Sequence, residues 1–294
     1  MQGDDSAAIG TVSTRAHSAF DGSGRAIDPS TCVVPILKET EPGRLLLVGT
    51  GCYVTRYGLV LTAAHVLAEL TARDTLGAAY VMHRAGESTT HMRRIRSVSW
   101  LNEFDIGLAQ ADNFLETVPE QPLSNRRARL SSRVPQVGES LVTYAYPENA
   151  PLDFRGRNSE PLIRADYYDG TVTGHIDAGQ RPRLQYFHIE TSVHVRSGAS
   201  GGPVFDSRGY VIGIASSGWD FGEAADVEPL SSVTLVRDLA SLTVPLNLLP
   251  QDSWEARQLP AGESGRSWNM RQLAEYGHVD WADLGGHSPG SEVV

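Results

Sequence analysis

The amino-acid sequence predicts an all-β protein made of two successive β units, and three observations carry that prediction. Its 294 residues are 40% hydrophobic and 20% charged, enough apolar material for a substantial core and too much for a disordered chain. Its 29 glycines and 16 prolines are scattered without a collagen-like or solenoid period, which favours many short strands over long helices. Its apolar runs are short, separated by turn residues, and fall into two series divided by a polar, Arg- and Pro-containing connection from about 112 to 138.

Residues 1–28, rich in Ser, Gly, Asp and Ala, lack a periodic apolar pattern and read as a mobile or loosely docked arm. The first series then runs CVVPILK, a turn over Glu41, Pro42 and Gly43, LLLVGTGCYV, a turn at Arg56 to Gly58, and LVLTAAHV. A short helix is expected over 68–78, followed by strands YVMHR, RRIRSVSW and DIGLAQA. The second series comprises ESLVTYAYP, YYDGTVTGHI, RLQYFHIET, GGPVFD and YVIGIASSG, then SVTLVRDLASL ending in a short helix. Beyond Pro250 the pattern weakens into an acidic tail.

Composition also excludes function classes. Lys and Arg number 25 against 35 Asp and Glu, a formal charge of -10, so nucleic acid and anionic membrane surfaces are not expected partners. Two cysteines, Cys32 and Cys52, exclude a disulfide scaffold and a cysteine-rich zinc module. No stretch approaches the roughly 18 apolar residues of a membrane span, and Met1 to Gly10 lacks the n- and h-regions of a signal peptide. The expected location is cytoplasmic.

Three segments place reactive groups at a strand end or in a Gly-rich turn. His65 closes LVLTAAHV, Asp105 sits in EFDIGLA among Phe104, Ile106 and Leu108, and Ser200 lies in SGASGGPV beside Gly198, Gly201 and Gly202. A carboxylate among apolar neighbours needs a partner, and an imidazole N–H supplies one. A serine hydroxyl becomes an effective nucleophile when an imidazole takes its proton, and the carboxylate fixes the imidazole tautomer. The glycines allow successive N–H groups, those of Gly198 and Ser200, to face one point as an oxyanion hole. Losing one such donor typically costs about 2.7–4 kcal/mol.

TAAH at 62–65, DIGLA at 105–109 and GASGGP at 198–203, in that order, resemble the three motifs of trypsin-like serine proteases. GTGCYV before the histidine and VIGIASSG after the serine resemble the flanking strands of the bacterial HtrA-type and glutamyl-endopeptidase-type branches. The resemblance spans about residues 30 to 245. It implies two packed antiparallel β-barrels, His65 and Asp105 from the first, Ser200 from the second, and substrate in the cleft between. It also implies that Ser216 lies beside the carboxylate and that Ser216, Ser217 and Gly218 offer an edge strand to substrate backbone. His194, six residues before Ser200, matches the base of the primary specificity pocket, with Val195, Ser217 and Ser232 as wall candidates. A histidine there suits an acidic or polar side chain, and equally a hydrogen bond within its own loop.

Departures from the digestive branch are informative. Ala199 replaces the aspartate that pairs with a newly cleaved N-terminus, so zymogen activation of that kind is not expected. Val66 replaces a disulfide cysteine, and Cys32 and Cys52 read as buried reduced thiols. His83, His91, His175 and His188 lack metal-ligand spacing, so no metal and no cofactor are expected. Arg93, Arg94 and Arg96, and Arg126, Arg127, Arg129 and Arg133, read as solvated strand edges rather than sites for an acidic partner or the acidic tail. In the tail, SWNMRQLAEYG offers an N-capping Ser267, and Trp254, Trp268 and Trp281 are anchors for docking on the body or for a partner.

The sequence thus divides into an N-terminal arm (1–28), a protease-like domain (29–248, first barrel about 29–120 and second about 135–248) and a C-terminal tail (249–294). The expected function is a serine endopeptidase acting on protein or peptide substrates through an acyl-enzyme. The alternatives are a catalytically silent protease-like binding module, and an esterase or self-processing enzyme with the same triad.

Overall fold

The computed structural model describes residues 19–56, 58–71, 78–84, 90–112, 114–115, 118–122, 126–147, 151–153, 163–181, 184–193, 195–219, 230–244 and 268–284. The first barrel contains β1 (Val33–Glu41), β2 (Arg44–Tyr53), β3 (Leu59–Thr62), helix α1 (Ala64–Thr71), β4 (Ala79–Arg84), β5 (Thr90–Leu101) and β6 (Ile106–Ala111). Its strands pair antiparallel in the order β2-β1-β4-β5-β6-β3, and β3 returns to β2 through Cys52↔Leu61 and Tyr53↔Val60, closing the ring. The second contains β7 (Ser140–Ala145), β8 (Asp166–Ile176), β9 (His188–Thr191), β10 (Pro203–Phe205), β11 (Val211–Trp219) and β12 (Leu230–Leu235). Its order is β7-β8-β9-β12-β11-β10, closed by Val142↔Phe205 and Thr143↔Val204. Two closed six-stranded antiparallel barrels result, as the resemblance implied.

Local sequence explains much of this. The β1–β2 hairpin turns at Pro42-Gly43, where Gly43 takes φ 77°, open to glycine at little steric cost. Strand β7 alternates buried Leu141, Thr143 and Ala145 with more exposed neighbours, the period-2 signature of a sheet with one inward face. The second core gathers Leu141, Val172, Ile189, Val204, Ile212 and Val233. The first extends from Val34, Leu61, Leu67 and Ile106 to Val236, Met270, Leu273 and Val279. Cys32 and Cys52 are both buried and unbridged, as expected. Contact with Cys52, reinforced by burial, holds the Cys32 thiol well above its usual range.

The helix after β3 begins at Ala64, earlier than the 68–78 expected. The run LVLTAAHV is therefore strand only to Thr62, because buried Ala64, Val66, Leu67 and Leu70 recur with helical spacing. The arginines are also reassigned. Arg93 is fully buried, Arg127 nearly so, and Arg133 pairs with Glu139 and Asp206. These three are not solvated edges, since Arg93 bonds buried Tyr53, Arg127 bonds half-buried Asp280 of the tail and Arg133 bonds buried Asp206, whereas Arg96 and Arg126 are exposed.

Parts of the expected arm and tail are built elements. Ala19–Phe20 pairs with Ala26–Ile27, Phe20 N–H donates to the Gly209 carbonyl, and Gly22 N–H donates to Asp280. In the tail, Trp268–Asn269 pairs with Thr243–Val244 and leads into α2 (Met270–Glu275). Ser267, expected as the cap, and Trp254 lie outside the described residues. The helix is capped by Asn269, whose side chain and that of Gln272 form a reciprocal capping box. Asp280 accepts two hydrogen bonds from Arg127, both at 2.7 Å, and Trp281 Nε1–H donates to Ser132 Oγ at 2.8 Å. Among the described residues, no helix is long and apolar enough to cross a membrane.

Candidate active site

His65 is the second residue of α1, where the first turn of a helix leaves backbone N–H groups without intrahelical acceptors. Its N–H donates to Asp105 Oδ1 at 3.0 Å, and its ring Nδ1 lies 3.0 Å from Oδ1 and 2.9 Å from Oδ2. One carboxylate therefore holds both ends of the residue. A carboxylate only accepts, so Nδ1 carries a proton, and in the neutral ring Nε2 is the nitrogen with the lone pair. The His65 side chain is 48% exposed and that of Asp105 17%, placing the imidazole at the surface of the site and its partner beneath.

Asp105 follows a single 3-10 turn, Asn102–Phe104, and directly precedes β6. Its φ of 48° and ψ of 40° make it the one non-glycine residue with positive φ among the described residues. Aspartate tolerates this region better than most side chains, and such outliers concentrate at functional sites. Ser216 Oγ donates to Asp105 Oδ2.

The Ser200 loop is held by its own turns and by the first barrel. Ala199 N–H donates to the Arg196 carbonyl and Gly202 N–H to the Ala199 carbonyl, each at 2.9 Å. From β2, Thr50 N–H donates to the Ser200 carbonyl and Thr50 Oγ1 to the Gly198 carbonyl, both at 2.8 Å. A Cβ on Gly201, at φ 81°, would lie 2.0 Å from Thr62 Oγ1 and 2.4 Å from the Thr50 carbonyl oxygen. Glycine is required there because two barrels meet at that point. Among the described residues, no acceptor meets the N–H of Gly198 or Ser200.

Ser200 Oγ donates to the Ser216 carbonyl over a long 3.4 Å. Among the described residues no hydrogen bond joins Ser200 Oγ to His65. The expected residues thus share one scaffold, Ser216 bonding Asp105 with its hydroxyl and Ser200 with its carbonyl. Val195 is buried, its N–H donating to Ser231 Oγ at 2.9 Å. Ser217 and Gly218 continue β11 opposite Ser232 and Ser231, whereas His194 lies outside the described residues.

Sequence reasoning missed Thr50, Tyr186 and Thr234. The GTG at 49–51 was a usable signal for Thr50, since a threonine between two glycines on a buried strand marks close backbone approach. Three further histidines serve packing and backbone contacts. His188 Nδ1 binds the Tyr186 carbonyl, His175 Nε2 binds the Pro135 carbonyl, and buried His83 packs edge-on to Tyr53.

Residues 49–214, more than half of the chain, match the model of the trypsin-like peptidase domain family. The chain belongs to that family. Similar solved structures of this trypsin-like chain include Deg5, 21% identical over 69% of this chain and 83% of that one, TM-score 0.48. Another is the MamO protease domain from Magnetospirillum magneticum, 13% identical over 71% and 94%, TM-score 0.49. A third is the active form of the Rv3671c protease from M. tuberculosis, 19% identical over 72% and 79%, TM-score 0.46. No curated protein matches the chain.

Proposed function

We propose that this trypsin-like chain is a serine endopeptidase that hydrolyses peptide bonds through an acyl-enzyme on Ser200. The observation that carries this reading is the unbroken run of contacts from His65 through Asp105 and Ser216 to Ser200. With substrate in place, Ser200 Oγ exchanges its long bond to the Ser216 carbonyl for one to His65 Nε2, since such bonds tighten in the complex. As Oγ attacks the scissile carbonyl carbon, its proton passes to Nε2, and Asp105 stabilises the imidazolium. The N–H groups of Gly198 and Ser200 receive the developing oxyanion. Collapse breaks the C–N bond, His65 returns the proton to the leaving amine, and water repeats the sequence in reverse to release the acid.

Strand β11 supports the substrate assignment. Its pairing with β10 ends at Ile214, so beyond that residue one edge carries no strand among the described residues. Ser216, Ser217 and Gly218 there bind an extended peptide, and His194 and Val195, matched to the specificity pocket by the resemblance alone, are the residues expected to favour an acidic or polar side chain before the cleaved bond.

Labelling with a fluorophosphonate probe tests the reading. The native chain is expected to label and Ser200→Ala not to. Persistent labelling of the variant would move the nucleophile elsewhere, and no labelling of the folded native chain would favour a silent binding module.

A further inference from the structure

We propose that Tyr186 is a positioning residue for the His65–Asp105 pair, acting through Ser216; the catalytic meaning of that role rests on the reading of Ser200 as nucleophile. Tyr186 lies just before β9 and is buried. Its hydroxyl is 3.3 Å from Ser216 Oγ and 2.9 Å from Oγ1 of Thr234, a fully buried residue of β12. Its ring meets Phe104, the residue before Asp105, at 6.2 Å between centroids and 61° between planes. One side chain therefore touches both the hydroxyl that binds Asp105 and the turn that presents it.

The chemistry fixes the direction of this chain. Ionised Asp105 has no hydrogen to give, so the Ser216 hydroxyl hydrogen points to it. Ser216 Oγ then has only lone pairs left for Tyr186, which must donate. The Tyr186 oxygen in turn accepts from Thr234. With both contacts hydrogen-bonded, the only consistent polarity is Thr234 to Tyr186 to Ser216 to Asp105. Such serial donors polarise one another in a dry interior and resist reorientation. Burial pushes the Tyr186 hydroxyl above its usual range, keeping it a protonated donor.

The effect is a stiffer carboxylate. Asp105 accepts from His65 N–H, the ring Nδ1 and Ser216, and a Ser216 hydroxyl free to rotate would let the carboxylate swing within its left-handed turn. Tyr186 removes that freedom, and among the described residues no hydrogen bond joins it to His65 or Ser200.

The experiment compares the native chain, Tyr186→Phe, Ser216→Ala and the double variant. Each is read by its rate of fluorophosphonate labelling and by the downfield proton NMR resonance of His65 Nδ1–H, with thermal melting to confirm folding. Tyr186→Phe is expected to slow labelling about three- to tenfold, the range of one hydrogen bond, and to move the resonance. In the Ser216→Ala background it should slow labelling no further. Thr234→Val should act in the same direction to a smaller extent. Native-like rate and resonance in Tyr186→Phe, or an equal slowing with and without the Ser216 hydroxyl, would overturn the proposal. If the native chain does not label yet the resonance still moves in Tyr186→Phe, the nucleophile reading fails while the positioning role stands.

Discussion

Tyr53 in the first barrel and Tyr186 in the second are both buried, and burial raises both hydroxyls above their usual range, yet they meet opposite kinds of partner. Tyr53 accepts from Arg93 at 2.8 Å, lies 5.1 Å beneath that guanidinium, and packs edge-on against His83 at 5.3 Å. Burial outweighs the cation and pushes its hydroxyl up to about 12. Tyr186 has hydroxyls on both sides and passes a hydrogen bond on to the site. A buried phenol that ends on a cation fixes a core locally. One set between hydroxyls links one part of a barrel to another.

The comparison breaks most sharply at the cation. Arg93→Met should destabilise the chain by about 3 kcal/mol, because it strips the Tyr53 hydroxyl and the Asp112 carbonyl of a buried donor. Labelling per folded molecule should be unchanged. Denaturant midpoints and the labelling rate together decide, and a slowed rate with intact stability would erase the distinction between the barrels.

Acid should have a comparable but progressive effect. Burial first, then Arg93 and His91, lowers the His83 imidazole to about 4. An unfolded histidine titrates near 6.5, so between about pH 6.5 and 4 the unfolded chain binds the extra proton and stability falls as pH falls. The full loss is on the order of 3 kcal/mol, complete only below the folded value. His83→Phe should remove that part of the pH dependence in denaturant titrations at pH 7 and pH 5; an unaltered slope would show that His83 does not cause it.

The smallest effect sharpens the contrast directly. Tyr53→Phe should cost about 1 kcal/mol, one net hydrogen bond, and leave labelling untouched, whereas Tyr186→Phe slows labelling. Equal behaviour of the two variants would mean that a tyrosine's barrel does not matter.

Much of the architecture was readable because strands and turns are coded locally. Alternation in SLVTYA, the Pro42-Gly43 turn and the short apolar runs each report on a few neighbouring residues. A helix that begins inside a continuous apolar run was not readable, since such a run suits a strand and a buried helix equally. Arg93 could have been found. It lies two residues from inward-facing Ile95 on β5, so period 2 places both on one face, but charge in RRIR pointed to solvent. For Arg127 the acidic tail was the alternative set aside, and no local pattern points to Asp280, 153 residues away.

The sequence alone determined which reactive groups the chain carries, their order, the glycines that free the backbone beside Ser200, and the β character of both halves. These rest on residue chemistry and short-range geometry. Tertiary structure alone decided that Thr50 clamps the Ser200 loop from the other barrel, that Ser216 bridges Asp105 and Ser200, and that Tyr186 stands behind Ser216. Those contacts depend on barrel closure and on two barrels meeting, and the directions of hydrogen bonds between distant segments leave no local periodicity to read.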